Sequence, residues 1–335
     1  MTLGQWAETW WQGIDVGENT EAFYRSLLTC HILPRWGGEL LTALTPSHIR
    51  AWLKHLRTRH AEATVTSIRK LLALILADAV DEGLLTRTPV RPERGRRGRL
   101  RPRTERAWID EHQLLQLAGR AAMLATPQQA LLLITAAYTG MRWGELAGLH
   151  RDNLDLTTGR AHITPTGALH EVNGTLSLGH PKTRASIRTV TLPPFLTALL
   201  STHLKTSTRE LVFTTVRGRP LRRSGFQRRI FAPAARGTTH QGQHWPPIED
   251  RLTFHGLRHS HKTWLIEDGI PDIAQARRLG HTLQDKMDET YAHVAPSIES
   301  RLLAGLEARW QRSLKTLAPT NQPRASLFLP PAATS

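Results

Sequence analysis

Apolar residues recur every three to four positions through much of the chain, the period of helices with one buried face. Over the N-terminal part this predicts helices at 3–11 and 19–33, the second with Phe23, Leu27, Leu28 and Cys30 on one apolar side before Pro34. Thr45 reads as a cap and Pro46 as the first residue of a helix over 46–56, whose stripe is Ile49, Trp52, Leu53 and Leu56. A longer helix from Glu62 carries Val65, Ile68, Leu72, Ile75 and Leu76 and stops near Gly83, completing a four-helix unit. Further on, Asp110 caps a helix, and Thr126-Pro127 opens an apolar one over 128–138 that ends at Gly140. The period then shortens to two. Residues 160–164, 175–178 and 186–192 read as short strands, and helical spacing returns from Pro194. The expected fold is mainly α with a small antiparallel β-sheet (α+β).

Residues 91–106 break the pattern, with eight Arg against two Glu, two Pro, two Gly and no apolar period. They read as a basic interdomain linker. It divides a helical domain over 1–90 from a larger domain over 107–318, and a tail rich in Pro, Ala and Ser follows over 319–335. Lys and Arg total 44 against 28 Asp and Glu, a net charge of +16 that draws polyanions to the surface and makes nucleic acid the first partner to consider. The single cysteine, Cys30, rules out an intramolecular disulfide and reads as a small buried hydrophobe. With neither a long apolar run nor a basic leader, the expectation is a cytoplasmic, nucleoid-associated protein that does not engage a membrane.

Four stretches carry candidate chemistry: TGMRWGELAGL around Arg142, PKT at Lys182, HGLRHS from His255 to Ser260, and LGH at His281 followed by Tyr291. A phosphodiester repels nucleophiles and has a poor alkoxide leaving group, so catalysis without a metal needs fixed cations and a proton donor. Arg142 and Arg258 supply guanidinium forks suited to phosphate oxygens, and Arg258 lies three residues after His255 on one helical face. Each motif alone is commonplace: a lone tyrosine usually packs, and a lone arginine is usually solvated. His255, His259 and His261 invite a zinc reading, which the lack of a nearby cysteine or an HExxH arrangement disfavours. No cofactor or metal is expected.

In this order and spacing the motifs resemble the tyrosine recombinase, or phage integrase, family, and the resemblance covers nearly the whole chain. It implies that Arg142 and Arg258 bind the scissile phosphate and that Lys182, on a β-hairpin, protonates the departing 5′ oxygen. His255 would assist proton movement, His281 would hydrogen-bond the phosphate, and Tyr291 would attack to form a 3′-phosphotyrosyl link. Glu145 matches the family's supporting carboxylate, and His259 packs or hydrogen-bonds behind the active helix. The motif HGLR departs from the more usual HDLR at a non-catalytic position. A further N-terminal arm-binding domain, common among phage integrases, is expected to be absent.

The implied partners are double-stranded DNA, three further copies of the chain in a homotetramer on two DNA sites, and a directionality factor. DNA-contacting candidates are the linker residues Arg94, Arg96, Arg97, Arg99, Arg101 and Arg103, with Arg222 and Arg223 in a second basic cluster; Arg184 and Arg188 are further candidates. A C-terminal helix bearing Ile298, Leu302, Leu303, Leu306 and Trp310 would pack on its own domain, or, as the resemblance implies, it or the tail would dock into a neighbouring protomer, the second being favoured. The implied function is site-specific recombination for integration or excision of a mobile element. The rivals are a type IB topoisomerase-like nicking and sealing enzyme and a catalytically inactive DNA-binding regulator. An RNA-binding reading fails for want of aromatic stacking motifs.

Overall fold

The computed structural model describes residues 1–90, 105–181, 183–281 and 294–316, with Arg184 and Thr316 described by backbone alone. The chain divides into two compact units, Met1–Arg103 and Thr104–Ser335.

In the first unit, α1 (Leu3–Gly13) opens on a reciprocal cap: Gln5 N–H donates to the Thr2 hydroxyl while Thr2 N–H donates to the Gln5 side chain. Helix α2 (Glu18–Leu27) runs through a widened turn, where Leu33 N–H bonds the Leu28 carbonyl five residues back, into α3 (Leu33–Trp36). Thr45 and Pro46 start α4 (Pro46–Leu56) as expected, and α5 (Glu62–Asp81) is the central helix. Val65, Ile68, Leu72, Ile75 and Leu76 of α5 are fully buried, each contributing about 1.5–3 kcal/mol. Indole N–H groups brought into this core need acceptors. Trp6 Nε1 finds the Ile75 carbonyl at 2.8 Å, and Trp10 Nε1 finds Asp78 at 2.5 Å, fastening α1 to α5.

Two expectations for this unit are corrected: Phe23 and Cys30 are exposed. The buried stripe continues from Leu27 through Leu28, Ile32 and Trp36, and the steps of four along it leave Cys30 on the outer side.

The second unit begins with α6 (Glu111–Leu124), whose cap Asp110 accepts from His112 and Gln113 N–H groups, followed by α7 (Pro127–Thr139), nearly every residue of which is buried. After the short α8 (Trp143–Ala147) come β1 (Leu154–Asp155), β2 (Arg160–Ile163), β3 (Ala168–Val172), β4 (Thr175–Gly179) and β5 (Arg188–Thr191). The antiparallel order β1-β2-β5 places Ala161 opposite Val190, while β3 and β4 form a separate hairpin. Its turn is Asn173-Gly174, both with positive φ, the conformation a two-residue hairpin turn requires. Helix α9 (Pro194–Thr206) leads to α10 (Arg223–Phe226) and α11 (Ala232–Arg236), then a hairpin of β6 (Thr238–His240) and β7 (Gln243–Trp245) that the helical reading from Pro194 did not include. Helices α12 (Phe254–Glu267), α13 (Asp272–Leu279) and α14 (Pro296–Thr316) complete the unit.

Helix α14 packs on its own unit rather than standing free to dock into another protomer, while the tail, the other docking candidate, lies outside the described residues. Leu302, Leu306 and Trp310 lie in its own unit's core, and Trp310 stacks on Phe195 at 4.3 Å between centroids. Arg309 is buried against Glu111, Glu267 and Asp268 at 3.2, 2.8 and 2.7 Å, so the helix carries charge pairing as well as apolar packing at home.

Candidate active site

Two helix ends create the site. Helices α7 and α13 both stop at a glycine in the left-handed region, Gly140 (φ 65°) and Gly280 (φ 63°), where the last carbonyls lack intrahelical partners and carry the negative end of the helix dipole. Guanidinium groups meet those carbonyls. Arg258 donates to Gly140 O at 2.6 Å and to Leu279 O, Arg142 to Gly280 O at 3.0 Å, Arg188 to Arg278 O at 2.7 Å, and Arg278 to Tyr138 O at 3.0 Å. The glycines are sterically demanded as well. A Cβ at Gly140 would sit 2.5 Å from Leu279 Cδ2, and one at Gly280 would sit 2.8 Å from Ala185 O.

Arg142 immediately precedes α8, where the Glu145 carboxylate accepts both its backbone N–H at 2.9 Å and its Nη1 at 2.8 Å. Nη1 also reaches the Ser186 hydroxyl at 2.9 Å, and that hydroxyl meets Thr183 Oγ1 at 2.9 Å. Glu145 is 2% exposed. Burial alone would raise its carboxyl pKa, but the Arg188 charge, then hydrogen bonds from Arg188 and Arg142, outweigh it and hold the group below the usual carboxylate range.

Arg188 was a candidate DNA contact on sequence grounds, and the structure corrects this: its side chain is 7% exposed and forks onto both Glu145 oxygens at 3.1 and 3.0 Å. Arg278, absent from the sequence-based set, is buried and donates to His261 Nε2 at 2.9 Å. That bond takes His261 out of any metal-ligating trio with His255 and His259. Among the described residues no group of three metal-ligating side chains occurs.

Two of the candidate histidines, His255 and His281, flank the cations. Desolvation first, then His259, Arg258, Arg106 and Arg142, push His255 down to about 4. His281 is pushed to about 4 by desolvation, then by Arg258, Arg142, Lys262 and Arg188. Both imidazoles are therefore neutral at pH 7. Burial, then Arg142 and Arg188, lower Arg258 to about 9, which leaves it charged at pH 7. Arg106 Nη1 donates to His259 Nε2 at 2.8 Å, and His259 meets the His255 ring edge-on at 5.0 Å.

The structure thus brings together Arg142, Glu145, His255, Arg258 and His281, which the sequence singled out, and adds Ser186, Arg188, Arg278 and His261. Lys182, Tyr291, the six linker arginines and the tail over 319–335 lie outside the described residues, as does the Arg184 side chain. Arg222 and Arg223 are exposed at the start of α10, with Arg222 paired to Glu171 at 2.8 Å.

In this helical domain with small antiparallel sheets, four guanidiniums share Glu145 as their only ion-paired carboxylate among the described residues, which leaves a local excess of positive charge. Residues 107–297 match the phage integrase family, and the chain belongs to that family, the tyrosine-type site-specific recombinases. It is 28% identical over 285 residues to a putative prophage phiRv2 integrase of Mycobacterium tuberculosis, covering 84% of this chain and 71% of the relative. The fold is shared with the Tn1549 transposon integrase solved with transposon right-end DNA (TM-score 0.70, 18% identity, 92% and 99% of the two chains). It is also shared with a lambda integrase tetramer bound to a Holliday junction (TM-score 0.58, 20% identity, 85% and 79%).

Proposed function

We propose that this recombinase integrates or excises a mobile element by cleaving and rejoining DNA through Tyr291. The observation that carries the reading is the guanidinium cluster around Arg142 and Arg258, in which helix-end carbonyls hold the cations in place and, among the described residues, one ion-paired carboxylate leaves positive charge to spare. A phosphodiester supplies the missing anion.

In the proposed reaction the Tyr291 oxygen attacks the scissile phosphorus and the bond to the 5′ oxygen breaks. Lys182 delivers a proton to that oxygen, while His255 accepts the phenolic proton. Arg142 and Arg258 stabilise charge on the non-bridging oxygens, and His281 donates a hydrogen bond to one of them. Neutral His255 suits a base, and neutral His281 retains one ring N–H to donate. A 5′ hydroxyl from the second duplex reverses the step, so the bond energy is conserved without a cofactor.

Exchange of strands between two duplexes calls for four active sites, hence a homotetramer, and a directionality factor would choose between integration and excision. The linker arginines Arg94, Arg96, Arg97, Arg99, Arg101 and Arg103, together with Arg222 and Arg223, contact the DNA backbone, and the work is done in the cytoplasm on nucleoid DNA. The reading is tested with a nicked suicide substrate carrying the flanks of the protein's own gene, without metal or ATP. A denaturation-resistant protein–DNA adduct is expected from the wild type and none from Tyr291→Phe. Tight binding of the cognate DNA with no adduct would overturn catalysis.

A further inference from the structure

Arg188 sits six residues after Lys182 in sequence, on the strand that the Lys182 segment feeds. Its guanidinium is almost wholly committed within the protein. Nη1 and Nη2 grip the two oxygens of Glu145, Nη1 also donates to Ser186 O at 2.8 Å, and Nε donates to Arg278 O at 2.7 Å. Those acceptors belong to three places that the reaction needs in register. Glu145 holds both the backbone and the side chain of Arg142. Ser186 closes the 183–186 turn, which follows Lys182 in sequence, and its hydroxyl touches Arg142. Arg278 lies two residues before Gly280, whose carbonyl Arg142 caps, and three before His281.

We infer that Arg188 is a positioning residue for recombination, locking Arg142, the 183–186 turn and the His281 helix end into one rigid arrangement through Glu145. A buried fork of this kind removes rotamer freedom from Glu145 and hence from Arg142, which pre-organises the phosphate site. Lysine cannot replace it, because a single ammonium cannot span both carboxylate oxygens, the Ser186 carbonyl of the 183–186 turn and a carbonyl at the end of α13. The inference rests on the proposed recombinase reading.

The test uses the full-length protein and the nicked substrate, comparing wild type, Arg188→Met, Arg188→Lys and the double variant Arg188→Met/Glu145→Gln. DNA affinity, the adduct rate at saturating DNA and the melting temperature are measured for each, with the rate expressed per folded molecule. Arg188→Met and Arg188→Lys are expected to slow adduct formation by about 10- to 100-fold while changing DNA affinity by less than about 3-fold, as losses of supporting contacts do. The double variant is expected to be no slower than Arg188→Met, since both changes break one chain of contacts.

The His281 imidazole, followed by NMR, reports separately on the Arg188 charge, while the split between adduct rate and DNA affinity reads the positioning. It faces Arg258 and Lys262 of α12, Arg142 before α8 and Arg188 of β5, so Arg188→Met should raise its pKa and Arg188→Lys should not. A wild-type adduct rate in folded Arg188→Met or Arg188→Lys would overturn the inference. If Arg188→Met does not fold, Arg188→Lys decides by rate alone. Absence of an adduct from the wild type would instead overturn the recombinase reading on which it rests.

Discussion

Gly140 shows how closely one residue is constrained at this site. Its positive φ and the 2.5 Å approach of Leu279 Cδ2 to a built Cβ mean that Gly140→Ala meets strain and overlap together. We expect a loss of about 1–3 kcal/mol in urea unfolding, with slower adduct formation because Gly140 O anchors Arg258. The histidines give a second prediction at this scale. His255 and His281 are lowered from 6.5 to about 4 in the folded chain, so between pH 6.5 and 4 the unfolded chain binds protons that the folded one refuses. Their contribution to stability is intact above pH 6.5 and falls as the pH drops through that window. A bound phosphodiester places negative charge beside both rings. In a complex of Tyr291→Phe with uncleaved DNA, NMR titration should therefore show both pKa values moved upward, and unmoved values would mean that no phosphate is seated there.

At the scale of elements, α14 makes the sharpest prediction. Arg309 links it to Glu111 of α6 and to Glu267 and Asp268 at the end of α12, with Arg312 adding a second bond to Glu111. Arg309→Met leaves Glu111 buried with one exposed partner, and breaking such a pair costs about 3–5 kcal/mol. Denaturant unfolding should show a loss near that size, and one under about 1 kcal/mol would mean that apolar packing alone seats the helix. The stripe Leu302, Leu306 and Trp310 was legible in the sequence, but which surface it covers was not. That depends on Phe195 and Glu111, more than a hundred positions away. The same limit runs through the fold. Caps and helix stops at Thr45, Asp110 and Gly140 are local signals and were readable. Arg188 and Arg278 were not, because their meaning lies in partners such as Glu145 and Tyr138, 43 and 140 positions off. Strand β3, by contrast, does carry a local signal: Asn173-Gly174 marks a two-residue hairpin turn, which requires a strand on each side.

For the whole molecule the question is how a net charge of +16 is divided between catalysis and DNA capture. At the site the cations are buried or, for Arg142, half-buried and tied to carbonyls, so added salt screens them less than exposed charges. Exposed arginines act differently, because each phosphate they neutralise releases condensed counterions and steepens the fall of affinity with salt by about 0.9 in the logarithmic slope. Replacing Arg94, Arg96, Arg97, Arg99, Arg101 and Arg103 by Gln should therefore flatten that slope by about five if each contacts a phosphate. Arg222 differs from Arg223 in already holding an anion, Glu171 at 2.8 Å, which DNA would have to displace or share. Arg223→Gln is accordingly expected to flatten the slope by close to one contact, and Arg222→Gln by less, in fluorescence-anisotropy titrations from 50 to about 200 mM salt. Equal slopes for the two variants would mean that the Arg222–Glu171 pair opens freely on binding. A slope unchanged by all six linker substitutions would move the capture surface away from residues 91–106 altogether.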